Sequence, residues 1–164
     1  MQPTTPAEAA NFDHYNSPAI ARCTVKVADL KPSGGLSTFE GLEECPIVGV
    51  ANLAEKASAG AIAWPHGFQV RGLRIAPGAR SPSHARQEEE VLLVHMGRPT
   101  IEWAAGSIKL GAGDTLTVPK GLARVYLNDE RERAELYVVR GGDHPSAAHV
   151  VPALGEATSS APQR

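Results

Sequence analysis

The chain has 164 residues, enough for one well-buried core and too few for two full domains. Apolar residues make up 42% and charged residues 21%, the mix of an ordinary globular protein, and a formal charge of -2 offers no electrostatic pull toward nucleic acid or an anionic membrane. The longest apolar runs, such as 91–94, fall far short of a membrane-spanning helix, and the opening Met-Gln-Pro-Thr-Thr-Pro has neither the basic nor the apolar region of a secretory signal. We therefore expect a cytoplasmic protein with no nucleic-acid or membrane partner. Cys23 and Cys45 stand in no metal-spaced cluster and are expected there as thiols.

Residues 1–18 mix Pro, Thr, Ala and Asn without a period and read as an arm. Over 22–30 Cys23, Val25 and Val27 alternate with Thr24, Lys26 and Ala28, which predicts a half-buried strand. Residues 31–44 hold Pro-Ser-Gly-Gly and read as a loop over one mouth of the fold, followed by extended segments at 46–53 and 59–64. From Phe68 onward short strands are predicted at 68–76, 90–96, 99–103, 107–110, 115–118, 123–128 and 135–140, separated by Gly and Pro turns. That succession is all-β, a sandwich or barrel. The organisation expected is an arm over 1–18, lead-in strands and loop over 19–66, a barrel over 67–145, and a flexible Pro-, Ser- and Ala-rich tail over 146–164.

Two stretches carry the sharpest signal. The first runs Gly78, five residues, His84-x-Arg86, three residues, Glu90, six residues, Gly97; the second runs Gly113, five residues, Pro119-x-Gly121, two residues, Arg124, three residues, Asn128. Together they resemble the paired signatures of the cupin superfamily, whose fold is the double-stranded β-helix, a jelly-roll barrel. In that family the two motifs supply three histidines and a glutamate to one metal ion. Only His84 and Glu90 keep ligand types; Arg86 and Arg124 stand at the other two positions. The resemblance also implies a homodimer, and the lead-in strands are similar to those of two-cupin ring-cleaving dioxygenases of the gentisate and homogentisate type, one half of which can lack its ligands.

Arginine has five donors and no lone pair to give a metal. The expected cofactor is therefore none; the alternative is a single divalent Fe, Zn or Mn on His84 and Glu90 with a third ligand from elsewhere. Of the candidates for that ligand, His95 has strand parity opposite to Glu90, while His66, His144 and His149 flank the strands. The same residues also read as a pocket for a small carboxylate- or phosphate-bearing metabolite. Arg86 and Arg124 would clamp the anion, with Asn128 and Trp103 beside them, and His84, Glu90 and Tyr126 would do proton-transfer chemistry such as dehydration, isomerisation or cyclisation. Three functions stay open: that metal-independent enzyme, an iron dioxygenase, and a non-catalytic metabolite-binding cupin. Beside them stands a purely structural reading, in which Arg86 forms an internal ion pair with Glu90, and Arg124 one with Glu90 or Glu102.

Overall fold

The structure is a computed structural model and describes residues 25–49, 67–142 and 146–153. Among them are ten strands: β1 Leu42–Val48, β2 Phe68–Ile75, β3 His84–Ala85, β4 Glu90–Met96, β5 Thr100–Trp103, β6 Gly106–Lys109, β7 Thr115–Val118, β8 Arg124–Leu127, β9 Ala134–Gly141 and β10 His149–Val150. They form two five-stranded sheets, β1-β2-β9-β4-β7 and β10-β3-β8-β5-β6, antiparallel throughout. This is the jelly-roll barrel that the resemblance implies.

Alternation along the strands decides what lies inside. In β2 the inward residues are Gln69, Arg71, Leu73 and Ile75; in β9 they are Ala134, Leu136, Val138 and Arg140; in β4, Glu90, Leu92 and Val94. Register then sorts them into rungs. Ile75 lies opposite Ala134, Leu73 opposite Leu136, which in turn faces Val94, and Arg71 opposite Val138, which faces Leu92. The last rung is Gln69, Arg140 and Glu90. One end of the barrel is thus an apolar core, joined by Leu42, Ile101 and Leu110, while Val118 and Tyr126 pack where it meets the charged rung, each large apolar side chain contributing about 1.5–3 kcal/mol by leaving water. The other end is charged.

The early segments depart from expectation. Residues 25–30 do not form a strand: Val27–Asp29 is a 3-10 turn closed by the Asp29 N–H donating to the Lys26 carbonyl at 2.9 Å. Val25 and Val27 against Lys26 and Ala28 give too little contrast to hold an extended edge. The second segment begins four residues early, at Leu42, because its inward face carries Glu44 and so does not read as apolar. Residues 22–24, 50–53 and 59–64 lie outside the described residues. The two-residue strands β3 and β10 went unread; β10 falls in the expected tail and pairs His149 with Ala85 and Val150 with His84. Among the described residues no helix is long and apolar enough to cross a membrane.

The turn after β4 needs its glycine. Gly97 has φ 82°, and a Cβ there would lie 2.7 Å from Ala134 Cα, which is backbone and cannot yield. Gly97→Ala is therefore expected to destabilise the barrel by about 1–3 kcal/mol, read as a lower denaturation midpoint with unchanged slope.

Candidate functional site

Two sheets meet at the charged end. β4 brings Glu90, β9 brings Arg140 opposite it, β8 brings Arg124 and Tyr126, β3 brings His84 opposite Arg124, and the bend after β3 brings Arg86. All six are buried, with exposures of 3% or less. Glu90 is their common acceptor. Its Oε1 accepts from Arg140 Nε at 2.7 Å and lies 3.0 Å from Arg86 Nε. Its Oε2 accepts from Tyr126 Oη at 2.7 Å and from Arg124 Nη2. Arg124 Nε donates to Tyr126 Oη at 3.1 Å, which closes the triangle.

A second carboxylate completes the cluster. Glu44 of β1, 1% exposed, has Oε1 at 2.7 Å from Arg140 Nη1, 3.3 Å from Arg71 Nε and 3.8 Å from Arg86 Nη2. Its Oε2 accepts the Leu36 N–H at 2.9 Å. That N–H comes from the 3-10 turn Gly35–Thr38, inside the stretch read as a covering loop. Gly35 has φ 54°, and a Cβ there would fall 2.1 Å from Glu44 Oε2, so the turn approaches this closely only with glycine.

The protonation states follow from burial and neighbours. Burial pushes the Glu90 carboxyl up, but Arg140, Arg124 and Arg86 outweigh it and hold the pKa down at about 2. Glu44 is likewise held at about 2, burial being overcome by Arg140, Arg71 and Arg86. Burial and the Glu90 charge push the Tyr126 phenol up, so it keeps its proton. His84 goes the other way: burial lowers it to about 4, against the pull of the Pro82 carbonyl, and Arg124 adds to the lowering. Its Nδ1–H donates to Pro82 O at 2.9 Å, so the neutral ring carries its lone pair on Nε2, which is buried with no hydrogen-bond partner.

Of the residues singled out in the sequence, His84, Arg86, Glu90, Arg124 and Tyr126 are therefore brought together. Trp103 faces Arg124 in register and is half-buried at the rim. Asn128 is elsewhere: its Nδ2 donates to the Ile75 carbonyl at 3.0 Å and the Glu132 carbonyl at 2.7 Å, so it ties the turn at the apolar end and does not reach the anion clamp. Glu90 is no proton carrier, because three guanidiniums keep it ionised. Glu102 pairs with Arg80, not Arg124. His95 is exposed, its ring 5.7 Å from Tyr137 outside the barrel, and His149 is exposed on β10. His66 and His144 lie outside the described residues. Sequence reasoning missed Glu44, Arg71 and Arg140, although strand parity alone sets Arg140 in line with Leu136 and Val138.

The donor set does not fit a divalent ion. Both Glu90 oxygens are engaged by cations or a phenol, two guanidiniums stand at motif positions, and among the described residues no three His, Cys, Asp or Glu side chains are grouped to hold a metal. The open side of the cluster is closed by chain: Arg86 Nη1 donates to the Ser146 carbonyl at 2.8 Å, Ser146 Oγ to Glu88 Oε2 at 2.9 Å, and the Val151 N–H to the Ser83 carbonyl at 2.9 Å.

A double-stranded β-helix with both signature motifs and a polar cluster at one end defines the class, and residues 73–140 match the family model for the cupin domain. The barrel is a cupin domain. Among curated proteins none matches the chain. Among solved structures, the polyketide cyclase RemF of Streptomyces resistomycificus superposes with a TM-score of 0.59 at 14% identity, over 78% of this chain and 84% of that one. An oxalate oxidase in complex with the substrate analogue glycolate gives 0.58 at 22%, over 79% of this chain and 63% of that one. A cupin sugar phosphate isomerase from Silicibacter pomeroyi gives 0.54 at 19%, over 72% and 74%. At such identities the likeness is one of fold.

The pKa directions set a pH dependence. His84 is depressed from 6.5 to about 4, so between those values the unfolded chain binds the extra proton and stability falls as pH falls. Glu44 and Glu90, depressed from 4.5 to about 2, add a second loss below pH 4.5. Denaturation midpoints should therefore drop from pH 6.5 downward, by at most about 1.4 kcal/mol per pH unit from one histidine. In His84→Gln, whose amide can still donate to Pro82, the first loss should vanish while the second persists. An unchanged profile would show that His84 is not held neutral.

Proposed function

We propose that the protein binds a small carboxylate- or phosphate-bearing metabolite at the charged end of the barrel and moves a proton on it without a metal. The observation that carries this is an imbalance of buried charge. Arg86, Arg124 and Arg140 close on Glu44 and Glu90, with Arg71 also beside Glu44, so among the described residues of the cluster guanidiniums outnumber carboxylates in a low-dielectric interior. A surplus charge of that kind is costly until an anion balances it. Beside it sits His84 Nε2, a buried lone pair on a neutral ring, the form a general base needs. In this reading Arg124 and Arg86 orient the anion, His84 takes and returns the proton, and Tyr126 donates a hydrogen bond without ionising. Trp103 lines the rim. Fold neighbours described as a sugar phosphate isomerase and a polyketide cyclase show that the barrel carries other catalysts, and they support nothing finer.

The ligand needs a way in. Segment 146–151 offers it, being held to the cluster's open side by a two-residue strand, hydrogen bonds of Ser146 with Arg86, Gln87 and Glu88, and the Val151 N–H on the Ser83 carbonyl, with no large apolar side chain of its own buried.

The test is a thermal-shift and calorimetric screen of small carboxylates and phosphates, each against its uncharged analogue, with chelator present. Anions alone should bind, chelator should not matter, and Arg124→Lys, which keeps the charge but loses the planar fork, should weaken binding by about 10-fold or more. His84→Gln should retain binding and lose turnover. Binding without turnover in the unaltered protein would make it the non-catalytic cupin, and binding abolished by chelator would overturn the metal-free reading.

A further inference from the structure

We infer that Arg140 is a resident cation that does the work of a metal ion in this barrel, bridging two buried carboxylates. Its guanidinium donates from Nε to Glu90 Oε1 at 2.7 Å and sits with Nη1 2.7 Å from Glu44 Oε1. Glu90 belongs to β4 and Glu44 to β1, two strands that are not neighbours in the sheet. One cation thus ties together carboxylates from separate strands in a dry interior, which is the structural service a divalent ion renders.

The other arginines do not share this role. Arg124 touches Glu90, Tyr126 and the Leu122 carbonyl and has no contact with Glu44. Arg86 reaches Glu90 at 3.0 Å, is 3.8 Å from Glu44, and commits Nη1 outward to Ser146. Arg71 lies beside Glu44 at 3.3 Å and belongs to that half of the cluster. Arg140 alone among them has short contacts to both carboxylates, and it lies outside both signature motifs. Burial pushes the Arg140 pKa down, but the Glu44 and Glu90 charges outweigh it and the net direction is upward, so the guanidinium keeps its proton.

A consequence distinguishes this from a simple ion pair. Arg140 occupies Glu90 Oε1 and Glu44 Oε1, and among the described residues these carboxylates and His84, whose Nε2 has no hydrogen-bond partner, form no group of three metal ligands. Restoring histidine at the two motif positions held by arginine therefore should not suffice to bind metal while Arg140 remains. The inference stands whether or not the ligand is an anion, since it concerns what occupies the carboxylates and not what enters beside them.

The experiment measures Mn²⁺ and Zn²⁺ content after dialysis and the melting shift with each ion, in the intact chain, Arg86→His/Arg124→His, and the same pair with Arg140→Met. The intact chain and the double variant should retain well under about a tenth of an equivalent, and the triple variant about one equivalent with a metal-dependent rise in melting temperature. About one equivalent in the double variant would overturn the inference, as would a folded triple variant that binds none. Should the triple variant fail to fold with or without metal, the double variant decides alone: retained metal refutes the role of Arg140 and its absence upholds it. Arg140→Lys, which keeps a cation between the carboxylates, should fold and show no melting response to either ion, and a response there would also count against the role.

Discussion

An ionised carboxylate in the middle of a barrel has no water to solvate it, and the fold is arranged around that fact. Glu90 is 0% exposed, and donors converge on it from three elements: Arg140 from β9, Arg124 and Tyr126 from β8, Arg86 from the bend after β3. Removing any one cation would leave a buried charge short of a partner, a loss of about 3–5 kcal/mol when a buried pair is broken. Yet well-packed apolar residues in place of such a cluster are often as stable or more so. Stability alone therefore does not account for four buried arginines at one end of a barrel whose other end is filled with Leu, Ile and Val. Charge is concentrated where the chain also keeps an unpartnered imidazole nitrogen.

Much of this was legible in the sequence, for a specific reason. Gly78, Gly97, Gly113 and Gly121 all have positive φ, so backbone geometry holds the motif spacing even though two of the four metal-ligand positions have changed chemistry. Strands β4 to β9 were readable because short extended runs are separated by turns, most of them carrying Gly or Pro. What escaped was of two kinds. Strands whose inward face carries charge, such as β1 with Glu44, do not show an apolar period, although parity along β9 puts Arg140 plainly in line with Leu136 and Val138. Strands two residues long, β3 and β10, exist only because a neighbour pairs with them, and no local pattern can announce that. Asn128 misled for a third reason. It keeps its place in the motif because its side chain bonds two carbonyls of the turn, a structural duty that spacing cannot tell from a functional one.

The protonation pattern narrows the chemistry further than the residue types do. A carboxylate clamped by three guanidiniums cannot lend a proton near neutral pH, and a phenol pushed upward by burial and a neighbouring negative charge cannot take the part of a base. Among the described residues of the cluster His84 is the neutral base, with one nitrogen fixed by the Pro82 carbonyl and the other open. Under the proposed function a single proton carrier would favour reactions in which a proton is removed and later returned by the same group. The surplus guanidinium charge would steady the anion formed in between. Isomerisation and elimination fit that constraint, whereas a reaction that needs separate acid and base groups on opposite faces of the substrate does not.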